Sequence, residues 1–293
     1  MKVSIIIPVH NSEKTLERCL ESILEQNFNE MEILLIENGS TDDSYAVCQK
    51  YAKKYGNIAC YISSSKGVSA ARNLGLEFAT GDIIGFCDAD DMLEGDSLKH
   101  ITKIFEENST VSMVVGGYYR VSSNDKTYMG LKKSKKCSFN KVLNHAIYDF
   151  RIMGSVWNKF FKRELLSDVR FDEGLSYCED THFLISVLSK NQNKTAYIIN
   201  RPIYNYICNE QSVTRDLSNI FDENGKLKYI CALEKMLELS NLKKYSRMLI
   251  KRQMFWLSIA YFDYASKEEK KILKKYITRC LPYYLITIYI NLK

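Results

Sequence analysis

The sequence predicts an α/β fold with a mostly parallel, Rossmann-like sheet and an α-helical C-terminal extension. Three patterns carry that expectation. Short apolar runs alternate with amphipathic stretches through the first hundred residues. Polar and acidic residues collect where those runs end. From about Phe221 onward the periodicity is helical.

Val3-Ser4-Ile5-Ile6-Ile7-Pro8-Val9 predicts a strand over 3–9, and Leu16, Cys19, Leu20, Ile23 and Leu24 place a helix over 13–26. Ile33-Leu34-Leu35-Ile36 marks a strand over 32–37. A helix over 42–55, a strand over 58–63 and a helix over 68–79 follow. Asp82-Ile83-Ile84-Gly85-Phe86-Cys87 reads as a buried strand within 83–88, and a helix over 95–107 closes the series. Such alternation builds parallel βαβ units with helices on both faces. Another strand is expected at 111–121, whereas the lysine-rich stretch 122–138 suits a solvated hairpin or a mobile loop. Residues 154–163 look strand-like and lead into a short helix. Glu179-Asp180 opens a helix, and two aromatic strands are expected at 196–199 and 203–207. There is no internal repeat.

Chemistry concentrates at Asp88-Ala89-Asp90-Asp91, directly after an apolar strand. Ligands of open α/β sheets bind at the C-terminal edge of the strands. Clustered carboxylates repel one another, so the cluster suits a hard divalent cation that shares oxygen ligands with phosphates. A lone Asp-x-Asp is equally a polar loop with a helix-capping Asp. Here it is accompanied by Pro8-Val9-His10-Asn11, by Glu37-Asn38-Gly39-Ser40-Thr41-Asp42-Asp43 and by Gly67-Val68-Ser69-Ala70-Ala71-Arg72-Asn73-Leu74-Gly75.

In that order these segments resemble the nucleotide-sugar-binding half of glycosyltransferase family 2, inverting transferases with a GT-A fold. The resemblance spans roughly the first two-thirds of the chain. It implies a catalytic domain over 1–215, with a nucleotide half (1–110) and an acceptor half (111–215), and a basic helical region over 216–293. It also implies a Mn²⁺ or Mg²⁺ cofactor held by Asp90, a ribose contact from Asp88 beside Ala89, and a nucleotide pocket lined by Pro8, Val9, His10, Asn11, Glu37 and Asn38. Asp91 would tune either neighbour or bind outer-shell water. The family usually has an aromatic at the position of His10 and two aspartates at Glu37-Asn38, which leaves the base open. His10 is otherwise a strand-end residue with a satisfied ring. Arg72 would steady the carboxylates or the diphosphate, or else is a surface residue at an ordinary helix start.

Cys178-Glu179-Asp180 resembles the family's Glu-Asp pair, so Asp180 is the expected general base and Glu179 its pKa-raising partner. Without that role the pair is an acidic helix N-terminus. Trp157-Asn158-Lys159 resembles a Trp-Asp-Lys segment whose ring either stacks on a sugar or sits in the core. Arg215, after Gln211-Ser212-Val213-Thr214, is a candidate phosphate clamp. The implied reaction moves a sugar from a nucleotide diphosphate sugar, expected to be a UDP-sugar, to a glycan or lipid-linked glycan in surface polysaccharide synthesis. The processive Gln-x-x-Arg-Trp signature is absent, which favours one sugar per encounter.

With 293 residues, 46% hydrophobic and 26% charged, the composition is that of a folded enzyme. Nine cysteines, none in a Cys-x-x-Cys pair, argue for free thiols in a reducing compartment. No spanning segment or secretory signal is read, so the expected location is the cytoplasm. No nucleic-acid partner is expected.

Residues 241–293 carry twelve Lys/Arg against three Asp/Glu, while the rest of the chain is mildly acidic. There Ile272, Leu273, Tyr276 and Ile277 form one stripe and Lys270, Lys271, Lys274 and Lys275 another, before an aromatic apolar segment over 281–290. The tail therefore either lies on an anionic membrane surface at the inner face of the cell membrane or packs as a helical lid. Nucleotidyl transfer or dinucleotide redox chemistry is disfavoured, because neither Gly-x-Gly-x-x-Gly nor Gly-x-x-x-x-Gly-Lys-Ser/Thr occurs. A non-catalytic nucleotide-sugar-binding or membrane-associated scaffold subunit is the alternative from another class.

Overall fold

A computed structural model of the chain describes residues 1–149, 154–208 and 220–291. Strands β1 (Val3–Val9), β2 (Met31–Glu37), β3 (Ile58–Ile62) and β4 (Ile83–Phe86) lie parallel in the order β3-β2-β1-β4. The crossovers are helices α1 (Leu16–Leu24), α2 (Ser44–Lys54) and α3 (Val68–Phe78). Because both faces are covered, these strands are apolar almost throughout. Ile6, Leu34, Ile36, Ile84 and Phe86 enter one core, and Ile5, Ile7, Ile33, Leu35 and Ile83 enter the other. In register, Val9 meets Glu37 and Glu37 meets Ile62, so the strand ends share one edge.

The second half extends the same sheet. After the short β5 (Met92–Leu93) and helix α4 (Ser97–Glu107) come β6 (Val111–Val121), β7 (Lys126–Met129), β8 (Lys135–Ser138) and helix α5 (Phe139–Tyr148). Then follow β9 (Lys159–Lys162), a 3₁₀ turn at Arg163–Leu166, helix α6 (Glu179–Lys190) and β10 (Thr195–Ile207). The ten strands run β3-β2-β1-β4-β9-β6-β10-β5, with β7 on β6 and β8 on β10. Strand β9 is antiparallel to both β4 and β6, and so splices the two halves.

Three local expectations are corrected. The stretch 122–138 is not a free loop: β7 turns back on β6 as an exposed antiparallel hairpin, and β8 goes on to pair with β10. Only residues 159–162 of the strand-like segment are strand; the Lys159 N–H instead closes a turn on the Val156 carbonyl at 3.0 Å. The two aromatic strands form one strand, β10, irregular between Ile198 and Tyr204 where Pro202 has no N–H to donate.

Helices α7 (Lys228–Glu238), α8 (Lys244–Ala260) and α9 (Lys267–Asn291) complete the chain. Leu273 and Cys280 of α9 are buried, Ile272, Tyr276 and Ile277 are half-buried, and the Tyr276 hydroxyl donates to Glu234 of α7 at 2.8 Å. The α9 stripe therefore does packing work, as a docked helix requires. Lys271, Lys274 and Lys275 stay exposed. No helix among the described residues is long and apolar enough to cross a membrane.

Candidate active site

Where β4 ends and α3 begins, the sheet edge opens into a cavity of about 700 Å³. Its wall includes Arg72, Asp88, Asp90, Trp157, Glu179 and Asp180, bringing together residues far apart in sequence. A cavity of about 690 Å³ on the far side of the sheet, beside Met1, Asp82 and Lys162, gathers no comparable set of carboxylates.

Arg72 organises the wall. Helix α3 starts at Gly67, whose φ of +109° few side-chain-bearing residues adopt. Gly75 lets the helix press onto β1, because a Cβ there would meet Ile6 at 2.3 Å. Arg72 is thereby carried, 4% exposed at its side chain, into the midst of three carboxylates. Its Nη2 donates to Asp88 at 2.9 Å, and its Nη1 donates to Glu179 at 3.1 Å and to Asp180 at 2.6 Å. Neighbouring Asn73 donates to the Phe171 carbonyl at 3.0 Å and accepts the Phe171 N–H at 2.8 Å, fixing the loop over the cavity.

Asp180 sits in the first turn of α6, after Cys178 in the left-handed region at φ 56°. A cysteine held there costs about 1–3 kcal/mol, a strain that clusters at working sites. Burial raises the Asp180 pKa and Arg72 opposes it; Glu179 and Asp88 add to the rise, leaving it at about 7. A carboxylate so tuned accepts a proton near neutral pH.

Of the three clustered aspartates, only Asp90 has a carboxylate without a protein partner beyond its own backbone N–H, among the described residues. Burial and the adjacent Asp88 push its pKa up, against the pull of Arg18. Arg18 itself donates to the Asp90 carbonyl at 2.8 Å, a contact that nothing in the spacing announced. Asp91 departs from expectation: it is buried, accepting the Ile207 N–H at 2.7 Å and the Tyr204 hydroxyl at 2.9 Å. It fastens β10 to the carboxylate loop, with both of its oxygens engaged by protein donors.

The residues expected at the nucleotide end form an adjoining cluster rather than the wall of this cavity. His10 Nδ1 lies 3.0 Å from the Asn38 carbonyl and Asn11 Oδ1 accepts the Thr41 N–H at 2.8 Å. Glu37 accepts the Ser40 N–H at 2.5 Å. The Asn38 oxygen, expected to face a base, accepts the Gly67 N–H at 2.7 Å while its amide donates to Ser65 at 2.7 Å. Pro8 is half-buried, and Val9 and Ala89 are buried. Trp157, 4% exposed, is enclosed: Tyr204 and Tyr206 stack on it and Tyr118 meets it edge-on. The ring is packed in the core among these tyrosines while still contributing to the cavity wall. Arg215 lies outside the described residues.

A GT-A sheet with this cavity at its carboxyl edge is the architecture of a glycosyltransferase, and comparison with known proteins agrees. Residues 4–170 match the family described as Glycosyl transferase family 2, and the chain belongs to that family. It is 32% identical over 219 residues to the uncharacterized glycosyltransferase EpsJ of Bacillus subtilis (strain 168), covering 72% of this chain and 62% of EpsJ. It is 29% identical over 206 residues to the minor teichoic acid biosynthesis protein GgaB of the same organism, covering 69% of this chain and 22% of GgaB. The chain thus spans less than two-thirds of either relative. Among solved structures, S. aureus TarS 1-349 in complex with UDP-GlcNAc superposes with a TM-score of 0.76 at 20% identity, covering 97% of this chain and 81% of that one. That likeness is one of fold.

Proposed function

We propose that the chain is an inverting glycosyltransferase that uses a nucleotide diphosphate sugar, foremost a UDP-sugar, and a divalent cation. Its acceptor is a hydroxyl of a glycan or lipid-linked glycan in surface-polymer assembly. The observation that carries this reading is Asp180, with a pKa near 7, linked to Asp88 through Arg72 on the wall of the cavity that also holds Asp90. Three wall residues, Ser69, Arg72 and Ser155, each keep a buried polar atom without a protein partner, which marks this wall as polar beyond what its own packing satisfies. The TarS complex with UDP-GlcNAc and the GgaB name favour the donor and polymer classes.

No group of three or more His, Cys, Asp or Glu able to hold a metal occurs among the described residues. The unengaged Asp90 carboxylate still fits a Mn²⁺ or Mg²⁺ that takes its remaining ligands from phosphates and water. When bound, the cation neutralises the departing diphosphate. The residues supply the rest. Asp180 takes the proton of the acceptor hydroxyl as its oxygen bonds to C1 of the sugar. The bond from C1 to the diphosphate oxygen breaks on the opposite face, inverting the centre. Arg72 keeps Asp180 aimed and keeps three carboxylates compatible in one site.

A thermal-shift panel of UDP-, GDP- and dTDP-sugars with and without Mn²⁺ tests the reading. A ligand of the native state raises the melting temperature by mass action. A rise with a UDP-sugar plus Mn²⁺ is expected; no rise with any donor would sink the proposal.

The membrane reading of the tail now rests on the lysine face and on Leu281, Leu285, Ile286 and Trp256, all at least 40% exposed. Each lysine near an anionic surface contributes about 1 kcal/mol, screened by salt. Replacing Lys270, Lys271, Lys274 and Lys275 with Gln should release the protein from anionic vesicles in a flotation assay and spare activity on a short soluble acceptor. If the unmodified protein ignores such vesicles, the tail is packing alone.

A further inference from the structure

Lys159 is fully buried at the start of β9, behind the cavity wall. Its Nζ donates to the Ser155 carbonyl at 2.6 Å and to Asn158 Oδ1 at 2.7 Å. Asn158 is held in turn: its amide donates to the Gly116 carbonyl at 3.0 Å and its own carbonyl accepts the Gly116 N–H at 3.0 Å. The Ser155 carbonyl and the Val156 N–H belong to the same peptide group. That N–H donates to the Asp180 carboxylate. One amide thus separates a buried ammonium from the proposed base.

We propose that Lys159 is a positioning residue for Asp180. It grips the Ser155–Val156 peptide and, by polarising it, holds the Asp180 carboxylate oriented and ionised. The proposal rests on the reading of Asp180 as general base. An ammonium on a carbonyl oxygen strengthens the N–H of the same amide as a donor, and linked hydrogen bonds reinforce one another in a low-dielectric interior. Burying an ammonium is costly, which makes a merely space-filling lysine a poor choice at this point. Burial pulls the Lys159 pKa down to about 7, with Asp180 pulling the other way. Among the described residues, the other ionisable groups facing Asp180 are Arg72 from α3, Asp88 beyond β4, and Glu179 and Cys178 at the start of α6. None of these acts through the Val156 amide.

The test is steady-state kinetics on Lys159→Gln, in the unmodified protein and in Asp180→Asn, with melting curves to verify folding. Lys159→Gln keeps a donor but removes the charge. It should lower kcat on the order of tenfold, as losing a charge-assisted hydrogen bond does, and leave the donor KM nearly unchanged. The acid limb of the kcat–pH profile should move to higher pH, because the ionised Asp180 has lost support. In the Asp180→Asn background the same substitution should add nothing. An unmoved acid limb, or an equal loss in both backgrounds, overturns the proposal. Near-normal turnover of Asp180→Asn alone would remove the base assignment and this proposal with it. If Lys159→Gln does not fold, the Lys159 Nζ nitrogen resonance decides: it should differ between the unmodified protein and Asp180→Asn, and identity overturns the relay.

Discussion

Asp180→Asn should slow sugar transfer by roughly 10²–10⁴-fold while donor affinity barely changes. Asparagine keeps the shape of the side chain but cannot take the acceptor proton. Arg72 retains Asp88 and Glu179 as partners, so the wall should keep its form. In the unmodified enzyme the rate should rise with pH through about 7, where the raised Asp180 pKa places its ionisation. The sign follows from the chemistry: only the deprotonated carboxylate is a base. The substitution should abolish that limb. Single-turnover transfer and donor titrations measure the two quantities separately. A variant with near-normal turnover would hand the role to Glu179, 3.1 Å from the same guanidinium nitrogen.

Asp90→Ala should erase the metal-stimulated part of donor binding and leave the fold intact. The loop does not depend on this carboxylate. Asp91 ties it to Tyr204 and Ile207, and Arg18 bonds the Asp90 backbone carbonyl, which alanine preserves. Removing a charge beside Asp88 also relieves repulsion, so the ligand-free melting temperature should hold or rise. At a donor concentration a hundred times Kd, binding stabilises by about 2.7 kcal/mol. The part of that gain requiring Mn²⁺ should vanish in the variant. Unchanged transfer with unchanged Mn²⁺ dependence would remove Asp90 from the metal site.

The parallel half of the fold was legible because its code is local. Ile5, Ile6 and Ile7 are apolar on both sides of a doubly covered strand, and helical spacing at Leu16, Cys19 and Leu20 marks the face laid on it. The second half hides its order in long-range pairing. Strands β7 and β8 are short and lysine-rich, and only their partners β6 and β10 make them strands. Helix α5 does carry a helical stripe, Phe139, Val142, Leu143, Ala146 and Ile147, but it lies directly after a polar, lysine-rich stretch that masks its start. At the site, motif order located Arg72, Asp88, Asp90 and Asp180, but the hydrogen-bond partners of each were invisible. Asn38 faces inward to a glycine N–H, Asp91 is a bracket, and Trp157 is walled in by tyrosines. Lys159 stood in a motif noticed for its tryptophan, since a lysine in a strand ordinarily points to solvent.

The cavity wall includes two cationic residues, Lys66 and Arg72, and six acidic ones, Asp88, Asp90, Asp91, Glu173, Glu179 and Asp180. Such a hollow repels a doubly phosphorylated donor that arrives alone. On the proposed reading, a dication offsets part of that negative charge where the phosphates sit, so each of the two ligands must tighten the other by the same factor. Loading then behaves as a coincidence detector. A cell short of the metal would leave the enzyme empty rather than blocked by an idle donor, and the nucleotide sugar would stay available to other consumers.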